Sequence, residues 1–170
     1  MKKALVVIDM QNDFVTGSLA NVNAEAIVKP IANKIASFQG TVIATRDTHE
    51  ENYLDTPEGK MLPIAHCIAG SDGWQIVDKI RDAIEKKKDK RIINKPTFGL
   101  VRDWKLGAYD AVELVGTCTD ICVVSNALIL KALYPELKVK VHASLCAGLT
   151  PEKHIAALEV MKSCQIEVIE

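Results

Sequence analysis

Cys122 stands where the turn Gly116-Thr117-Cys118-Thr119-Asp120 gives way to an apolar stretch. A sulfur in that position has two available roles. Free backbone N–H groups and the dipole at a helix start favour a thiolate, the form that attacks carbonyl carbon. A free cysteine is just as often a small core residue that does no chemistry. Lys95 would lower the thiol pKa further if it stood nearby, and Asp9 offers a carboxylate able to carry the proton. Each has an ordinary alternative: Asp9 as a helix cap or lysine partner, Lys95 as a surface lysine. Cys118 precedes Cys122 in a C-x-x-x-C spacing, which is not the C-x-x-C of redox pairs. A second group, Asp47-Thr48-His49 with Glu58 and His66 farther along, joins carboxylate to imidazole. That set suits zinc, manganese or iron held with open positions, or else simple loop residues in water. His142 and His154 are read as structural.

These residues need elements to carry them to one place. Short apolar runs rich in β-branched residues recur at Ala4–Ile8, Thr41–Thr45, Arg91–Asn94, Ala111–Val115, Val139–His142 and Ile166–Ile169. Several are continuous, as in strands buried on both faces. Helical patterns fill the intervals. Ile31, Ile35 and Phe38 share a face, with Pro30 suited to the first turn. Ile76, Ile80 and Ile84 form a second stripe, leading into a lysine-rich helix end that reads as solvated surface. Ile121–Leu133 is apolar nearly all round, and Thr150-Pro151-Glu152 starts a helix with Ile155, Leu158 and Met161 on one face. The alternation predicts a single-domain α/β protein over residues 1–170, a Rossmann-like three-layer sandwich with a mostly parallel central sheet and helices on both faces. In such sheets ligands bind beyond the carboxyl ends of the strands. Asp9, Asp47 with His49, Lys95, and Thr117 to Cys122 all follow strand ends. The irregular stretch Asp47–Gly73 is long for a compact domain, as functional loops are.

Composition narrows the setting. The chain of 170 residues carries a formal net charge of −1, which gives no reason to expect nucleic acid or an anionic membrane as partner. No apolar run approaches a membrane span, and the run after Lys3 is too short for a secretory signal. Five scattered cysteines do not form a disulfide framework, so a reducing cytoplasmic setting is expected. The apolar Ile121–Leu133 segment would suit a homo-oligomer.

At these residues the sequence resembles the isochorismatase-like cysteine hydrolases and, within them, the nicotinamidases. The resemblance is carried by Ala4-Leu5-Val6-Val7-Ile8-Asp9-Met10-Gln11-Asn12-Asp13-Phe14, Thr45-Arg46-Asp47-Thr48-His49, Lys95-Pro96-Thr97-Phe98, Val115 to Val123 and Pro151 to Leu158, in the family's order. It implies an Asp–Lys–Cys triad at Asp9, Lys95 and Cys122. It implies a non-proline cis peptide at Thr117–Cys118 and an oxyanion hole from the backbone N–H groups of Cys118 and Cys122. Asp47, His49 and His66, with Glu58 between them, match the family's divalent-metal ligands; no organic cofactor is implied. Phe14 and Phe98 stand as pocket walls. The substrate implied is nicotinamide or another small carboxamide, cleaved through a thioester. A metal-free relative acting on another amide or a carbamoyl compound, and a non-catalytic binding scaffold, are the alternatives. One departure is clear: the family's aromatic-Pro-Pro-His is here Leu62-Pro63-Ile64-Ala65-His66, one residue longer and without the aromatic.

Overall fold

The computed structural model describes residues Met1–Glu170. Six strands, β1 (Lys3–Ile8), β2 (Thr41–Asp47), β3 (Lys90–Lys95), β4 (Ala111–Thr117), β5 (Lys138–Ala147) and β6 (Glu167–Ile169), form one sheet in the order β3-β2-β1-β4-β5-β6. Every pairing is parallel. The chain winds outward from β1 in one direction and then, from β4, in the other. The crevice for ligands in such a sheet lies where the direction reverses, between β1 and β4.

The alternation of side chains along β1 explains the two cores. Ala4, Val6 and Ile8 join one apolar cluster, with residues of α5 (Val124–Leu133) and α6 (Pro151–Ser163). Leu5 and Val7 face the other way, onto α2 (Val22–Ser37) and α4 (Asp78–Glu85). A strand covered on both faces has no polar side, which is why the run reads as continuously apolar. Two short helices, α1 (Asn12–Val15) and α3 (Pro57–Met61), complete the set. No helix is long and apolar enough to cross a membrane.

Three helical expectations need correction. Pro30 lies well inside α2, because Asn21 caps that helix by accepting from the Asn23 N–H, and Ala24 and Ile27 extend its buried stripe toward the start. Ile155 is 59% exposed, whereas Leu158 and Met161 are buried. Two successive steps of three residues turn about 120° around a helix, so Ile155 and Met161 do not share a face. Ile121–Leu133 is not one regular helix: residues Thr119–Val123 form a π-helical turn before α5 begins. Its apolar flank is covered within the chain by the segment after β3, where Leu100 N–H donates to Asn126 Oδ1 and a Cβ at Gly99 would strike Ile129.

Candidate active site

Asp9 follows β1 with φ 46°, in the left-handed region where aspartate is tolerated better than most residues. Backbone strain of this kind gathers at functional sites. Thr45, at the neighbouring position on β2, holds it twice: the Thr45 hydroxyl donates to Asp9 Oδ1 at 2.6 Å and accepts from the Asp9 N–H at 3.2 Å. Asp9 Oδ2 accepts no aligned hydrogen bond but lies 2.6 Å from Lys95 Nζ. It is a buried carboxylate oxygen with charge compensation and a free direction for a proton.

Lys95 closes β3 and is fully buried. Its ammonium also lies 3.2 Å from Asp47 Oδ1, 3.0 Å from the Thr97 carbonyl and 3.6 Å from Cys122 Sγ. Three segments far apart in sequence thus meet at one nitrogen. Burial works against its charge, but Asp9, Cys122 and Asp47 outweigh this and hold the ammonium above the ordinary lysine value. Burial raises the Asp9 carboxyl above its ordinary value, with Lys95 pulling the other way.

Cys122 reaches the site on the π-helical turn, where the Ile121 and Val123 N–H groups both donate to the Cys118 carbonyl. Asn126 fastens the turn by donating to the Cys122 carbonyl at 2.7 Å and to the Phe98 carbonyl at 3.0 Å. The expected depression of the thiol pKa is not found. Burial pushes the Cys122 thiol well above its ordinary value, Asp9 adds to that, and Lys95 only partly opposes them. The resting group is a thiol beside a carboxylate. The Thr117–Cys118 peptide is cis, and the Cys118 N–H donates to no acceptor in the chain.

The second cluster also assembles. Ligand atoms of Asp47, His49 and His66 lie within 4.8 Å of one another, and all three residues are buried. His66 Nδ1 lies 2.8 Å from the Ile64 carbonyl, which places its Nε2 toward Asp47 Oδ2 at 3.7 Å. His49 Nε2 is 3.1 Å from the same oxygen and 3.8 Å from Glu58 Oε1. One carboxylate and two imidazole nitrogens converging on a small volume, with ring orientation set from behind, fit a divalent metal with open positions. Glu58 is the outermost member. The Tyr53 ring packs against both imidazoles, at 4.6 and 4.9 Å between centroids.

Between the two clusters opens a cavity of about 520 Å³. Phe14, Leu19, Leu62, Phe98, Ile121 and Leu149 wall it, and Asp47, Glu58, His66, Cys118 and Cys122 line it as well. No lysine or arginine lines it. Phe14 is nearly buried and lies 5.6 Å from the His66 ring, whereas Phe98 is 45% exposed at the mouth.

Sequence reasoning named every residue of the two clusters but missed those that hold them. Besides Thr45 and Asn126, Gln11 is buried and clamps the Asp47 backbone on both sides of its Cα, accepting from its N–H at 2.7 Å and donating to its carbonyl at 2.8 Å. Asp13 accepts from the Cys67 N–H at 2.7 Å and the Ser18 N–H at 3.2 Å, joining the segment after His66 to the cavity wall.

Fold and site together define a doubly wound α/β protein with a buried aspartate–lysine–cysteine cluster at the reversal of its sheet. The chain belongs to the isochorismatase family: the model of the isochorismatase domain matches residues 3–170. It is 28% identical over 184 residues to the nicotinamidase/pyrazinamidase of Mycobacterium tuberculosis, covering 98% of each chain. Among solved structures it resembles the pyrazinamidase of Pyrococcus horikoshii in complex with zinc, with TM-score 0.82 and 27% identity over 100% of this chain and 99% of that one. It also resembles the pyrazinamidase/nicotinamidase of Streptococcus mutans, with TM-score 0.86 and 29% identity over 99% and 100%.

Proposed function

We propose that this chain is a cysteine amidohydrolase that converts nicotinamide, or a closely related small carboxamide, to its acid and ammonia through a thioester on Cys122. The class, a hydrolase of amide C–N bonds, rests on the nicotinamidase relatives of like length. The observation that carries the mechanism is the meeting of Asp9, Cys122 and one lysine ammonium at 2.6 and 3.6 Å.

Because the resting sulfur is protonated, attack and deprotonation go together. Asp9 takes the thiol proton as sulfur bonds to the amide carbon, and the carbonyl π electrons move to oxygen. The resulting oxyanion is received by the backbone N–H groups of Cys118 and Cys122. Asp9 passes the proton to the amide nitrogen as the C–N bond breaks and ammonia leaves. Water then attacks the thioester, Asp9 accepts its proton, and the sulfur departs and is reprotonated. Lys95 stays charged throughout and keeps Asp9 ionised at the start of each half-reaction.

Asp47, His49 and His66, with Glu58 beside them, would hold a divalent metal that supplies a Lewis-acid contact for a ring nitrogen of the substrate. Phe14 and Phe98 would flank the ring. The cavity lining includes no lysine or arginine, so the chain offers no strongly basic side chain to a carboxylate-bearing substrate, which suits an uncharged amide.

The test is ammonia release from nicotinamide by wild type and by Cys122→Ala. Release that vanishes in the variant, with the fold unchanged by circular dichroism, supports the proposal. Release that persists would end it.

A further inference from the structure

Between Thr117 and Asp120 the segment that leads from β4 into the π-helical turn is tied down by side chains in addition to its backbone pairing. The Thr117 hydroxyl donates to the Ala147 carbonyl at 3.0 Å, and the Leu149 N–H donates to Asp120 Oδ1 at 3.0 Å. Between them, the Thr119 hydroxyl lies 2.8 Å from His154 Nδ1. Thr119 is fully buried, so its hydroxyl cannot exchange this partner for water. His154 sits on the first turn of α6, half-buried, and touches neither the cavity nor the two clusters of the active site.

The approach of the two segments is close by design of the chain. A Cβ added at Gly148 would lie 2.8 Å from His154 Cβ and 3.0 Å from Asp120 Oδ1. Glycine at this position lets the residue after β5 pass between the start of α6 and Asp120. Burial keeps the His154 imidazole below its ordinary pKa against the opposing pull of Asp120 and Glu170, so the ring is neutral at pH 7 and can accept the hydroxyl's bond.

We propose that His154 is a positioning residue for catalysis, which through Thr119 fixes the backbone of the Cys118–Cys122 turn so that its N–H groups meet the developing oxyanion. The inference rests on the cysteine amidohydrolase reading and adds to it a residue outside the cavity. It assigns α6 a task in the chemistry that packing alone would not require. Small displacements of aligned groups cost rate far more than they cost binding, so the signature falls on kcat.

The experiment is a series at one position. His154→Ala should lower kcat on nicotinamide about tenfold while KM moves less than about twofold. His154→Asn places an amide atom where Nδ1 stood and should recover most of the rate. His154→Gln carries its amide one bond farther, where Nε2 stood, and should not. Alongside, the rate of Cys122 alkylation by iodoacetamide, followed by peptide mapping, should shift severalfold in Ala and Gln and return in Asn. A purely structural histidine would change the melting temperature and leave kcat and the alkylation rate as in wild type. That result overturns the inference, as does equal behaviour of Asn and Gln. If wild type fails to hydrolyse nicotinamide, the substrate reading falls by itself, and the alkylation series still decides the role of His154.

Discussion

Lys95 balances two buried carboxylates, Asp9 and Asp47, with one charge. Removing one partner of a buried ionic set leaves the others uncompensated, a loss of about 3–5 kcal/mol. Lys95→Met should therefore lower the urea unfolding free energy by that order as well as abolish turnover, whereas a lysine with a catalytic role only would leave unfolding unchanged. Thr45→Val keeps the shape but strips Asp9 of one donor and one acceptor. The expected cost is about 1–3 kcal/mol, with a fall in kcat and little change in KM, measured by denaturation and steady-state kinetics. At this scale the meeting of Asp9, Asp47, Lys95 and Cys122 was legible because such residue types are unusual at strand ends. Their supports were not: Thr45 and Gln11 are defined by partners 36 residues away across the β1–β2 pairing, and nothing local in the chain marks them. The raised pKa of the Cys122 thiol was hidden for a related reason. Position at a turn was readable, but burial beside Asp9 was not, and burial governs.

Between elements, a polar tie joins α2 to the sheet. Glu113 on β4 lies 2.7 Å from Lys34 on α2 and 2.7 Å from His142 on β5. Burial raises the Glu113 carboxyl, and the bonds from Lys34 and His142 more than offset it, leaving the pKa below the ordinary 4.5. A lowered carboxyl pKa means that the unfolded chain binds the proton more readily. The tie therefore contributes fully above pH 4.5 and is lost as pH falls through the lower folded value. Glu113→Gln should flatten the decline of stability on that acid side, seen as a smaller difference between melting temperatures at pH 6 and pH 4. An equal decline in both proteins would refute the assignment. Gly116 marks a second contact between elements: with φ 124° it sits opposite Ile8, and a Cβ there would strike the Ile8 carbonyl. Gly116→Ala should cost upwards of about 3 kcal/mol, combining an unfavourable backbone region with a clash against β1. All six strands were legible as apolar runs. Helix starts were read less well, since α2 continues through Pro30 on the strength of its cap and buried stripe, and a π-helical turn leaves no mark in hydrophobic periodicity.

Over the whole molecule, the two clusters line one cavity and are joined through Asp47, which faces both Lys95 and His49. Metal bound to Asp47, His49 and His66 would bind the folded chain alone. Free zinc at a hundredfold excess over its Kd should raise stability by about 2.7 kcal/mol. The rise in melting temperature should disappear with chelator and in His49→Ala; a rise that survives in that variant would place the ion elsewhere. The strand order has a further meaning in time. β1 leaves the ribosome before the other five strands, yet it pairs on one side with β2 and on the other with β4, whose first residue is Ala111. Until the latter part of the chain has been made, one hydrogen-bonding edge of its most apolar strand has no neighbour, and an open apolar edge recruits other chains. A chain halted just before Ala111 should accordingly be sticky and dependent on chaperones, and release from that state should come only as β4 docks, the same event that brings Cys122 to Asp9.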